Sequence, residues 1–212
     1  MDITWLGHSC FIIKGKKATV ITDPYHNFDS YKLGKSSADI VTVSHQHDHH
    51  NNSDVVDGKP HVVSGPGEYE IKGVFVTGIG TYHDNVSGEK SGKNTIYLID
   101  LDDIRVCHLG DLGHKLSSRQ TEELSDIDVL LVPVGGLTTI NAPVAAEVIN
   151  MLDPEVVIPM HYKTEATSIE LDPVDSFLKE MGHKEVVAQP KLSISKSALT
   201  RDTQLVVLDY NR

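Results

Sequence analysis

Four histidines and an aspartate fall within six residues of this chain, in Ser44-His45-Gln46-His47-Asp48-His49-His50-Asn51. Imidazole is the commonest protein ligand for zinc-like cations, so the chemistry this segment suggests is metal binding. An extended backbone would turn His45, His47 and His49 to one side, because side chains alternate along a strand. Histidine tracts that gather metal without purpose are usually terminal or of low complexity. This one is internal and directly follows the apolar run Ile40-Val41-Thr42-Val43, so a site assembled by the fold is the stronger reading.

Three further candidates share its placement just past the C-terminal end of an expected strand. His83 follows residues 74–79, Asp111 follows residues 104–108, and His161 follows residues 156–159. If these strands lie alongside one another, their ends meet at one edge, where ligands are held rigidly and neighbouring loops are free to bind substrate. His108 alternates in a buried strand and is read as a packed or hydrogen-bonded side chain, with ligation in place of His83 as the alternative. Asp23, in Thr22-Asp23-Pro24, is read as a turn residue, with support of a ligand as the alternative. His8, His26, His61, His114 and His183 have no second argument and are read as structural.

The elements that must position these residues are mostly strands. Residues 3–6, 10–14, 18–22, 62–64, 70–72, 74–77, 95–99 and 104–107 are short, β-branched and bounded by glycine or proline, which predicts two packed sheets. The second half adds helices. Ser117 with Gln120 forms a capping box, Asn141 caps a helix over residues 143–152 with Val144, Val148 and Leu152 as its stripe, and Asp172-Pro173 opens another that Gly182 ends. Apolar strands at 129–134 and 156–159 lie between them, and residues 204–209 close the chain as a strand. Residues 84–93 read as a mobile polar loop. The fold class is α/β, as a single domain over residues 1–212.

Thirty acidic residues against nineteen basic ones give a net charge of −11 over 212 residues, a field that repels phosphate backbones and argues against a nucleic-acid partner. A small-molecule substrate fits better, and a homo-oligomer is compatible. Cys10 and Cys107 lie in apolar runs and read as buried thiols. No apolar stretch reaches membrane-spanning length and the first residues carry no signal-peptide core, so the expectation is a cytoplasmic protein without a membrane partner.

Taken together, His45-Gln46-His47, His50, His83, Gly110-Asp111 and His161 resemble the signature of the metallo-β-lactamase superfamily. Thr4-Trp5-Leu6-Gly7-His8-Ser9, Thr22-Asp23-Pro24, Val132-Pro133-Val134-Gly135-Gly136 and Ile158-Pro159-Met160-His161-Tyr162 resemble its small hydrolases related to ascorbate-6-phosphate lactonase. The resemblance covers residues 2–165. It implies a four-layer αβ/βα sandwich with two divalent metal ions at one edge, zinc first, with manganese or iron as alternatives. His45, His47 and His83 would hold the first metal, and His50 and His161 the second, with Asp111 bridging. One departure stands out: the family's aspartate before the last histidine of the motif is His49 here, and Asp48 occupies the variable position. His49 is taken as a ligand there, which predicts weaker filling of the second site or a preference for zinc over manganese.

The chemistry implied is metal-assisted hydrolysis of a small ester, lactone or phosphoester. A bound cation lowers the pKa of water to roughly 7, and two of them about 3.5–4 Å apart clamp the reacting centre. His49 and Asp111 are the candidate catalytic residues, and Tyr162 and Lys163 the candidate substrate contacts. The alternatives are a metal-binding protein without hydrolase activity and an iron-dependent oxidoreductase on the same scaffold.

Overall fold

The computed structural model describes residues 1–26, 28–200 and 202–210. Strands β1 (Asp2–Gly7), β2 (Cys10–Lys14), β3 (Thr19–Thr22), β4 (Ile40–Val43), β5 (His61–Ser64) and β12 (Leu192–Ser193) form one sheet, in the order β12-β1-β2-β3-β4-β5. Strands β6 (Gly67–Ile71), β7 (Val74–Tyr82), β8 (Lys93–Leu101), β9 (Ile104–His108), β10 (Val129–Pro133), β11 (Val156–Met160) and β13 (Gln204–Leu205) form the other, in the order β13-β11-β10-β9-β8-β7-β6.

Strand direction is what gathers the candidate ligands. In the first sheet β1 and β3 both oppose β2, and β4 runs parallel to β3, so β1, β3 and β4 end at one edge. In the second sheet β7 and β9 both oppose β8, while β10 and β11 run parallel to β9. The C-terminal ends of β7, β9 and β11 therefore also share an edge.

Alternation along the first sheet separates two apolar clusters. Trp5, Phe11, Ile13, Val20 and Ile40 face the main core with the second sheet, while Leu6, Cys10, Ile21, Val41 and Val43 face outward. A four-layer sandwich would cover that outward face with helices. Here loop residues Tyr25, Phe28, Tyr31, Ala38 and Ala166 cover it, with Val56 just after the 3₁₀ turn Ser53–Val55. The three α-helices among the described residues, α1 (Ser118–Glu123), α2 (Ala142–Leu152) and α3 (Val174–Glu180), all come from the second half of the chain, and α2 packs on α3. No helix among the described residues is long and apolar enough to cross a membrane.

Local chemistry explains where boundaries depart from expectation. Lys72 and Gly73 both take positive φ, 53° and 72°, as a tight two-residue hairpin turn requires, so Lys72 leaves the strand and β6 stops at Ile71. The Ser117–Gln120 capping box and the Asn141 cap both form. The buried face of α2 is Ala145, Val148, Ile149 and Leu152, rotated from the expected stripe so that Val144 is only half-buried. Asp172 does not cap α3, whose first turn has no side-chain cap. Only Gln204–Leu205 of the expected last strand pairs as one. Residues 84–93, expected to be mobile, are pinned: the Asp84 carboxylate accepts the backbone N–H groups of Val86, Gly88, Lys90 and Ser91 at 2.7–2.9 Å.

Candidate metal centre

The strand ends converge. Asp23 follows β3, His45 follows β4, His83 follows β7, Asp111 lies three residues beyond β9 and His161 follows β11. Nitrogen atoms of four imidazoles surround one oxygen, Asp111 Oδ2: His83 Nε2 at 3.2 Å, His50 Nε2 and His161 Nε2 at 3.3 Å, and His45 Nε2 at 4.0 Å. The ligand-type atoms fall into three overlapping groups, each within 4.8 Å: His45, His47 and His83; His8, His50, Asp111 and His161; and Asp23, His45 and His50, of which the first two face Asp111 and the third lies on its supporting side. All are buried except His47, whose ring sits 4.6 Å from that of His45 and 5.2 Å from that of His83.

The hydrogen bonds on the far side of each ring fix what faces inward. His50 Nδ1 lies 2.9 Å from Asp23 Oδ2, and His83 Nδ1 lies 3.0 Å from the Thr138 carbonyl oxygen. Both partners only accept, so both rings carry their proton on Nδ1 and, when neutral, present a lone pair at Nε2. Ser44 Oγ donates its one proton to Asp23 Oδ2 at 2.5 Å, so the His45 Nδ1–H 2.9 Å away must donate to it. His45 Nε2 then also points a lone pair inward, and it is buried without a hydrogen-bond partner. Lone pairs aimed at a carboxylate repel it unless a cation stands between them. Protons on every ring would crowd several imidazolium charges around a single carboxylate. Divalent cations fit this donor set, and the nitrogen-rich composition suits zinc-like metals more than magnesium or calcium.

The electrostatics report the same demand. Burial pushes His50 down, but Asp111 and Asp23 outweigh it and lift the ring to about 10. His83 is raised too, as its bond to Asp111 overcomes burial. His45, farther from Asp111, is lowered to about 3 by burial and by the charge of His50. Burial alone would raise Asp111, yet His161 and His50 hold it well below the usual carboxylate range.

Asp111 itself is tightly placed. Ser9 Oγ donates to its Oδ1 at 3.1 Å, and its backbone N–H donates to Asn94 Oδ1 at 3.0 Å. Gly110, at φ 55°, lets this happen: a Cβ there would lie 2.4 Å from Asn94 Oδ1 and 2.6 Å from Ser44 Cβ. His108 is a supporting residue, buried with Nε2 2.9 Å from the Ser9 carbonyl oxygen. Its ring belongs to none of the ligand groups.

Several expected site residues stand elsewhere. The chain turns after His45, with His50 N–H bonded to the His47 carbonyl, so strand alternation is lost and His49 does not follow His45 and His47 inward. Its ring is exposed, stacked 4.1 Å from Phe28, and joins none of the ligand groups. Asp48 is exposed as well. The Tyr162 ring turns into the core against Trp5, centroids 4.9 Å apart, and lies away from the imidazoles. Lys163 Nζ is held by the Ile169 carbonyl at 2.9 Å and Glu170 at 3.2 Å. Conversely, His8 and Asp23, read from sequence as structural and as a turn residue, are integral to the cluster. Both follow strand ends, the placement that singled out the other candidates.

The profile of the beta-lactamase superfamily domain matches residues 2–161. A UPF0173 protein of Pyrococcus furiosus is 31% identical, over 88% of this chain and 93% of its own length. A UPF0173 metal-dependent hydrolase of Pyrococcus horikoshii is 29% identical, over 87% of this chain and 93% of its own. Among solved structures, a candidate Zn-dependent hydrolase of the metallo-β-lactamase superfamily from Thermotoga maritima superposes with a TM-score of 0.83, at 40% identity over 99% of both chains.

Proposed function

Because this chain belongs to the metallo-β-lactamase superfamily and has its fold, we propose that it is a metal-dependent hydrolase of small ester, lactone or phosphoester substrates. The observation that carries this reading is the crowding of inward lone pairs around Asp111 Oδ2. His45, His47 and His83 would hold one cation and His50 and His161 a second, with Asp111 shared between them. Zinc is the metal we assign to both. Bound there, divalent cations act as Lewis acids and bring the pKa of water to about 7.

The protein's own groups do the positioning. Asp23, Ser44 and the Thr138 carbonyl hold three rings in the tautomer that leaves Nε2 free. Asp111, held well below the usual carboxylate range by His161 and His50, keeps its negative charge available to a cation. His49, exposed at the rim with its ring 6.3 Å from that of His8, is placed to exchange protons with solvent as a leaving group departs. A cavity of about 490 Å³ opens beside His45 and His47, and Lys93 is the one formally charged residue lining it. No salt bridge to Lys93 forms among the described residues, so its ammonium can pair with a negative group on a substrate, a local attraction that works against the repulsion of the chain's net charge of −11. Phosphoesters, and lactones that carry a phosphate or carboxylate, meet that description.

The test is metal analysis of protein purified without a histidine tag, with a panel of lactones, thioesters and phosphodiesters. We expect two bound zinc ions and turnover of one anionic class. Protein that takes up no divalent cation, or a loaded protein inert across the panel, overturns the reading.

A further inference from the structure

The geometry points to His8 as a metal ligand: we propose that it completes the buried group with His50, His161 and Asp111, and that this group takes a nitrogen-preferring divalent cation of the zinc class. The inference rests on the metal-dependent reading above and adds a residue that the family signature quoted for this chain does not include.

His8 is 3% exposed, and its Nε2 lies 3.1 Å from His50 Nε2. The ring stands 4.2 Å from that of His161 and 4.8 Å from that of His50, with tilted planes. Without it the buried group has three protein donors; with it there are four, the number a closed zinc site takes. His49, which precedes His50 in the motif, is exposed and its nitrogens join none of the ligand groups, whereas His8, though its ring also packs on Phe28, is buried and within the group.

The backbone around His8 is built to aim that ring. Gly7 and His8 both take positive φ, 102° and 53°, at the end of β1. A non-glycine residue in this region is uncommon and strained, so neighbouring bonds must hold it there. They do: the His8 carbonyl oxygen accepts from Trp5 Nε1 at 3.0 Å and from the His161 backbone N–H at 3.1 Å. The second of these ties the backbones of two proposed ligands to each other.

The competing role is a hydrogen bond, with His8 Nε2–H donating to His50 Nε2. His50 Nδ1 carries the proton shared with Asp23, so Nε2 has a single lone pair to offer. It can accept that bond or ligate a cation, not both. The two roles therefore predict different metal binding.

The experiment titrates metal-free protein with Co²⁺ and Zn²⁺, comparing the parent chain with His8→Asn and His8→Gly. Asparagine and glycine both tolerate positive φ, so the turn is preserved. We expect the parent to bind two equivalents and each variant to keep the first while losing the second by more than tenfold in affinity, with a changed visible Co²⁺ spectrum. In parallel, ¹⁵N NMR of the parent should show His8 Nε2 moving to a metal-bound shift on zinc loading; this readout needs no variant to fold. Two equivalents of unchanged affinity in a folded variant, or a His8 Nε2 signal that zinc leaves in place, overturns the assignment while the hydrolase reading stands. A parent chain that binds no cation sinks both.

Discussion

The two imidazole groups share Asp111 but differ in their access to water. His45, His47 and His83 form the open group: His47 is exposed, and the 490 Å³ cavity borders it. His8, His50 and His161 form the closed group, with every ring buried. The closed group draws on the end of β1, the turn after β4 and the end of β11, so a cation held there would tie distant parts of the chain to one another. The open group is the one that solvent reaches. Stability should therefore depend more on the closed group, and substrate handling more on the open one.

Asp111→Asn is the strongest way to break this comparison. The amide keeps the shape but lacks the charge both groups need, and its N–H group can donate to the Nε2 lone pairs that a cation would otherwise take. We expect metal affinity to fall in both groups by at least about a hundredfold, beyond what loss of a supporting residue does, with activity abolished. Metal analysis after equilibrium dialysis checks it. Loss confined to one group would show that Asp111 is not shared.

Asp23→Asn sharpens it. Asp23 touches His50 directly and reaches His45 only through Ser44, so one carboxylate supports both groups unequally. Removing such a partner costs about 10–100-fold in metal affinity. The closed group should bear the larger share. Equal losses in a two-site titration would contradict the direct-versus-relayed distinction.

The metal-free protein should separate the residues that touch Asp111 from the one that does not. His50 is raised from 6.5 to about 10, so its contribution to stability is full below pH 6.5 and is lost as pH rises through about 10. His83, also raised, adds to that alkaline limb. His45 is lowered from 6.5 to about 3, so its contribution is full above pH 6.5 and is lost as pH falls toward 3. Thermal melts in chelator should peak near neutrality and fall by several degrees on either side. His50→Asn should flatten the alkaline limb and His45→Asn the acid limb; swapped effects would refute the account.

Much of this centre was legible in the residue order because strand ends can be read from apolar runs. His45, His47, His50, His83, Asp111 and His161 all sit just past such runs, and the sheets bring them together. The same rule, applied to residues 3–6 and 18–22, points to His8 and Asp23; Asp23 takes the supporting role that its sequence allows as an alternative to a turn residue, while His8 lies outside the dense motif and has no second signal in the sequence. The alternation that would turn His49 inward with His45 and His47 stops where the chain turns, so its ring lies on Phe28 outside the ligand groups. Tyr162 was placed by adjacency to His161, but a neighbour in a left-handed turn need not face the same way; His161 has φ 52°. The loop layer over the first sheet was invisible, since Tyr25, Phe28 and Tyr31 carry no period.

The smallest effect should come from Asp84, which belongs to the open group's surroundings alone. Its carboxylate accepts four backbone N–H groups, and those bonds hold it well below the usual carboxylate range. The loop it organises ends at Gly92 and Lys93, which wall the cavity beside His47. Asp84→Asn keeps one acceptor oxygen and replaces the other with a donor that cannot serve Lys90 and Ser91. We expect faster amide exchange at Val86, Gly88, Lys90 and Ser91, with metal content and Asp111 chemistry unchanged. If Lys93 orders an anionic group, KM should rise severalfold while kcat holds, because only binding common to ground and transition states is loosened. Lys93→Gln should raise KM in the same way with the loop intact. A fall in metal content in Asp84→Asn would mean that the open group leans on its loop, and the division between a rigid centre and its adjustable wall would have to be redrawn.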